Sequence, residues 1–117
     1  MASAIACGAF GAHGLKRIVT PEALAWWDTA STYHRAHGLG LLLVAALWPR
    51  LSTRGRALAR YAYIALWLGV ILFSGSLYIM TLTEIRLLGA ITPIGGSLLI
   101  LGWVLIASAV RLTDPVE

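Results

Sequence analysis

A chain of 117 residues with a formal net charge of +4 holds 59% hydrophobic and only 12% charged residues. Globular proteins carry roughly 25% charged residues, so this chain has too little polar surface to face water on all sides, which excludes a soluble enzyme and a disordered tail. The basic residues sit between apolar runs instead of spreading over a wettable surface, so nucleic acid is not a partner, and the lone Cys7 supports neither an internal disulfide nor a thiolate metal cluster.

The first apolar run, residues 1–15, reads MASAIACGAFGAHGL. As a helix it is roughly 22 Å long, short of a hydrocarbon core of roughly 30 Å, so the first helix is expected to be short or truncated. No basic residue precedes the apolar stretch, which argues against a cleaved signal peptide. Its small residues recur at four-residue spacing, Ser3, Cys7, Gly11 and Ala4, Gly8, Ala12, which lets a neighbouring helix approach closely.

Thr20, Pro21 and Glu22 form a helix start, with a capping hydroxyl, a proline in the first turn and an acid at the positive end of the dipole. They predict a helix over 21–48 whose membrane part covers 30–48 and carries His34, Arg35 and His37. On it Trp26, Ala30, Tyr33 and His37 share one face, and Asp28, Ser31 and Arg35 a more polar one. Arg35 is expected to snorkel to the interface or to pair with Asp28, and Trp26 and Trp27 suit the interface.

The stretch PRLSTRGRALAR holds Arg50, Arg54, Arg56 and Arg60 without an acid, so it reads as a cytoplasmic loop, with Arg111 on the same side. Opposite it, Lys16, Arg17 and Arg86 are balanced by Glu22, Asp28 and Glu84. Both termini are therefore expected on the cytoplasmic side. Uncharged runs over 61–83 and 92–110, the latter with Pro93 in its first turn, complete the set. The fold class is all-α, a single transmembrane domain over 1–117 forming an integral membrane four-helix bundle.

With that topology the less expected residues fall at one level, in the outer half of the bilayer: His13, Tyr33, His37, Ser74, Ser76, Tyr78 and Thr92. Such groups are costly in hydrocarbon unless paired, so they are expected to turn inward. Serines around Gly75 commonly act as glue between helices, and that reading outweighs a ligand site. Gly8, Gly11, Gly75, Gly95 and Gly96 are the expected packing glycines. His34 and His37 share a face and approach a metal only together with His13; acid and thiolate ligands are missing apart from a distant Cys7, so neither metal nor cofactor is expected. Catalytic motifs and pairs of membrane carboxylates are missing as well, and the protein is expected not to be an enzyme.

The stretch GAFGAHGL from Gly8 to Leu15, then Trp27, Thr29, Tyr33 and His37, then FSGSLY from Phe73 to Tyr78, TPIGG from Thr92 to Gly96, and Gly102-Trp103 together resemble a widespread family of small four-helix membrane proteins. That family is catalogued as a domain of unknown function, with bacterial members and a mitochondria-associated animal relative. The resemblance covers nearly the whole chain. It implies four helices and marks His13, Tyr33, His37, Ser74, Ser76, Tyr78, Thr92 and Pro93 as matching positions, whereas His34 and Arg35 fall outside the pattern. Family members carry more apolar residues ahead of GAFGAHGL, which bears on the completeness of the first helix.

The expected function is a non-catalytic interaction protein, an accessory subunit of a larger membrane complex, with Gly8 and Gly11 on the contact face. The alternative is a small pore, carrier or ligand-binding module that uses the outer-half cluster around His37. The expected partners are the lipid bilayer and other membrane subunits or a second copy. The membrane is the inner (plasma) membrane in a bacterium or a mitochondrial membrane in a eukaryote.

Overall fold

The computed structural model describes residues 1–112. It contains four α-helices: α1 (Ala2–His13), α2 (Pro21–Leu47), α3 (Thr53–Thr83) and α4 (Thr92–Val110), joined by short 3₁₀ turns at Leu15–Arg17, Trp48–Arg50 and Arg86–Ala90. The start of α2 follows from its sequence: Thr20 Oγ1 accepts the Ala23 N–H at 3.2 Å ahead of Pro21, satisfying one of the orphan donors of a first turn. The start of α3 differs from the sequence expectation. The helix begins at Thr53, about two turns before Tyr61, because Ser52 caps it by accepting from Gly55 N–H and arginine is a good helix former. Arg54, Arg56 and Arg60 thus project from a helix and not from a loop.

Each helix runs antiparallel to the next. Gly11 meets Trp27 while Gly38 meets Met1; Thr81 bonds to Ala23 while Leu66 reaches Gly40; Gly95 meets Phe73 while Gly55 meets Ala109. Contacts are serial, α1 on α2, α2 on α3 and α3 on α4, with α2 and α4 barely touching. The result is a shallow layer of 57 × 26 × 13 Å.

The tightest pair is α3 with α4, and its seam has a strict seven-residue repeat. On α4 the buried positions are Gly95, Leu99, Gly102, Ile106 and Ala109. On α3 the matching column is Gly55, Ala59, Ala62, Leu66, Gly69, Phe73, Ser76 and Met80. Alternating steps of four and three keep one side of each helix on its partner in a left-handed crossing. Knobs and glycines interlock: a Cβ on Gly102 would stand 2.6 Å from Leu66 Cδ2, and one on Gly69 2.6 Å from Leu99 Cδ2. Between helices in lipid this van der Waals contact is the main attraction, and small residues make it by letting backbones close in.

At the Arg-rich end Ser52 N–H donates to the Leu112 carbonyl at 3.0 Å, tying the start of α3 to the end of α4. At the other end α3 stops at Glu84, whose φ of 58° is the one left-handed backbone among the described residues.

Candidate functional site

Two stretches, Thr53–Thr83 and Arg86–Val110, are long and apolar enough to cross a membrane, and their outward surfaces stay apolar: Trp67, Ile71, Ile79, Ile100 and Val104 are exposed. A water-soluble fold would cover such a surface; one solvated by lipid has no reason to.

The expected polar cluster divides in two across the layer. On the side covered by α1, Tyr78 Oη lies 3.2 Å from His34 Nδ1, and His34 Nε2 lies 3.3 Å from Ser3 Oγ. Trp27 completes this side, its ring 4.4 Å from that of Tyr78 and 5.7 Å from that of Phe10. Trp27 Nε1–H donates to the Cys7 carbonyl at 2.7 Å, a contact permitted because residue 11 is glycine: a Cβ there would stand 2.5 Å from the indole. On the opposite side His37 is buried and its Nδ1–H donates to the Tyr33 carbonyl one turn earlier at 2.7 Å. The Tyr33 ring stacks on Phe73 at 4.2 Å, and the His37 ring lies 6.1 Å from Trp103. His34 and His37, expected to share a face, therefore meet different neighbours, His34 those on the α1 side and His37 those toward Trp103.

The remaining hydroxyls fasten helices. Ser74 Oγ–H donates to the Ala30 carbonyl at 2.8 Å, and Thr81 Oγ1 lies 3.1 Å from the Ala23 carbonyl and 2.9 Å from that of Leu77, so α3 is pinned to α2 twice. Ser76 and Thr92 share a hydrogen bond of 2.8 Å between α3 and α4. His13 is exposed at the end of α1, away from all of these. Among the described residues no buried polar side-chain atom lacks a partner, and no three His, Cys, Asp or Glu side chains converge on a common point.

Several expectations need correction. The small-residue face of α1 is turned onto α2 within the chain, with Ala4 and Gly11 buried. Gly8 faces the Arg35 guanidinium, whose Nη1 would lie 3.1 Å from a Cβ there. Arg35 therefore lies against α1; among the described residues the one ion pair is Arg86 with Glu22 at 2.9 Å, and Asp28 holds no cation. A Cβ on Gly75 would meet nothing within 4 Å and one on Gly96 would make ordinary contact with the Phe73 ring at 3.6 Å, whereas one on Gly95 would run into the Phe73 backbone. The expected polar cluster leaves out His34 and Ser3; the column Ser3, Cys7, Gly11 carries the signal, since it puts the Ser3 hydroxyl and the Cys7 carbonyl on the face that meets α2.

Four antiparallel helices, lipid-compatible outer surfaces and a glycine-lined seam define a small helical membrane protein. The chain belongs to the family described as Protein of unknown function (DUF423), which matches residues 7–96. It is similar to the UPF0382 membrane protein YwdK of Bacillus subtilis, 45% identical over 106 residues that span 91% of this chain and 85% of that one. It also resembles a UPF0382 membrane protein of Staphylococcus epidermidis, 43% identical over 106 residues, 91% of this chain and 84% of the other. A third such relative, from Staphylococcus saprophyticus, is 45% identical over 103 residues, 88% and 82% of the two chains. No solved structure matches the chain.

Proposed function

We propose that the protein is a non-catalytic membrane subunit that crosses the bilayer with its helices up and down, keeps both termini on the Arg-rich cytoplasmic side, and acts by side-on association. In a bacterium that membrane is the plasma membrane. The observation that carries this reading is the shallow layer, 13 Å in its least dimension. Such a layer offers broad apolar faces to a larger assembly, among them Ile94, Leu101 and Val104 on α4 and Leu39, Leu42 and Leu43 on α2. Its buried hydroxyls on Ser74, Ser76 and Thr81 are engaged in fastening helices to one another, which supports an associative role. Extraction from the native membrane in mild detergent, followed by native mass measurement, tests it: a reproducible assembly larger than the monomer is expected, and a lone monomer without companion chains overturns it.

A second reading has one observation in its favour. Ser3 and His34, the latter within hydrogen-bond distance of Tyr78, border a recess of about 230 Å³ lined also by Gly38, Trp67 and Ile71, and an ionisable group at membrane depth is a functional candidate. On this reading the recess receives a small solute. A small molecule that co-purifies with the protein and is lost in His34→Ala supports it; retention by that variant sinks it.

A further inference from the structure

Beyond the recess at His34, the same two helix faces continue as an open furrow. The α2 wall proceeds from Leu41 to Ala45 and Trp48, and the α3 wall from Trp67 to Ile64 and Arg60, each step one helical turn. Its wider part is a groove of about 700 Å³ lined by Val44, Ala45, Trp48, Arg60, Tyr63 and Ile64. That volume lies within the range of ~300–1,000 Å³ usual for sites that bury a small molecule. Every lining side chain is apolar or aromatic except Arg60, which stands at the end of the furrow beside Trp48 and Tyr63.

Length, polarity and charge agree on one occupant. From Gly38 to Trp48 the furrow extends roughly 15 Å along α2, about the depth of one leaflet of a hydrocarbon core of roughly 30 Å. Its apolar floor suits an acyl chain, and Trp48 and Tyr63 stand where a headgroup boundary favours amphipathic rings. Arg60 lies at the same end as Arg50, Arg54, Arg56 and Arg111, and no acidic residue is described there. Arg60 is the member of that set turned into the furrow. Guanidinium is a strong partner for a phosphate oxygen, through two parallel hydrogen bonds. We propose that the α2–α3 furrow is a binding site for one anionic phospholipid, with an acyl chain along Ala45 and Ile64 and the phosphate on Arg60. The site recognises the lipid by its charge and by the length of one leaflet, and it needs no partner protein.

The test is native mass spectrometry of the full chain released from detergent micelles containing equimolar phosphatidylglycerol and phosphatidylcholine, with helical content followed by circular dichroism. The wild type is expected to retain the anionic lipid about fivefold over the zwitterionic one, the effect of one arginine near a headgroup. Arg60→Gln should bring that preference below about twofold, while Arg54→Gln, which lies outside the furrow, should leave it unchanged. Ala45→Phe should fill the groove and cost retention of both lipids. Should Ala45→Phe lose its helical signal, the comparison of Arg60→Gln with Arg54→Gln decides alone. Equal retention of both lipids by the wild type, an equal effect of the two arginine substitutions, or a lipid-free dimer overturns the proposal.

Discussion

The indole N–H of Trp27 reaches the carbonyl of Cys7 at 2.7 Å, and the residue one turn beyond that carbonyl is Gly11, whose missing side chain is what leaves room for the ring. The pair fastens the shortest helix to the layer. A methyl at position 11 would stand 2.5 Å from the indole, so the ring has to move and the bond is lost. Gly11→Ala is expected to weaken α1 docking by about 1–3 kcal/mol, as overpacking does, and to expose the α1–α2 connection to protease in detergent. Unchanged cleavage kinetics and Trp emission would contradict the contact.

The α3–α4 seam makes a sharper contrast. At Gly95 an added Cβ would meet the backbone of Phe73, 2.8 Å from its Cα, and backbone cannot step aside. At Gly75 an added Cβ would meet nothing within 4 Å. Gly95→Ala should therefore push the helices apart and lower the thermal midpoint. Gly75→Ala should raise stability by roughly 0.5–1 kcal/mol through helix propensity. Melting curves of both variants in one detergent read the difference directly, and two falls of equal size would refute the seam.

The hydroxyl pins are worth less. Ser74→Ala removes one bond to the Ala30 carbonyl, and such bonds in membrane proteins average about 0.6 kcal/mol with a maximum near 1.7 kcal/mol. Combining it with Thr81→Ala, which removes the bond to Ala23, should bring the loss to about 1–2 kcal/mol. Reversible unfolding in mixed micelles measures both, and a loss well above that range would show that these hydroxyls do more than hold α2 to α3.

Glu84 ends α3 with a φ of 58°. That conformation costs an L-residue roughly 1–2 kcal/mol, and glycine escapes the cost. Glu84→Gly should accordingly stabilise the protein by about 1 kcal/mol. A lower unfolding midpoint would mean that the Glu84 side chain makes a compensating contact.

The features legible in the sequence were those governed by local chemistry. Thr20 and Pro21 announce α2, the uncharged runs announce the two spans, and the paired serines announce helix fastening, because capping, hydration and buried hydroxyls each act within a few residues. The seam Gly95, Leu99, Gly102, Ile106, Ala109 was not legible as a face. In lipid the outward side is as apolar as the inward one, so hydropathy carries no periodic signal and only side-chain size does. The split of His34 from His37 was hidden for another reason. Residues three apart on a helix are separated by roughly 60°, close enough to share a face on a thick bundle. On a helix with α1 on one side and Phe73 and Trp103 on the other, that angle places them with different neighbours. The charge of the Arg-rich segment suggests a loop, but the helix propensity of arginine and the Ser52 cap make it the first two turns of α3.

The 13 Å depth of the layer has a bearing on how the protein is handled as a material. Almost no residue lies more than one side chain away from the surrounding acyl chains, so those chains supply much of the packing that a thicker protein draws from its own interior. Bilayer thickness and acyl disorder then enter the folding free energy as directly as a mutation does. The same polypeptide should melt at different temperatures in short-chain and long-chain lipid, which makes it a reporter of the membrane it sits in.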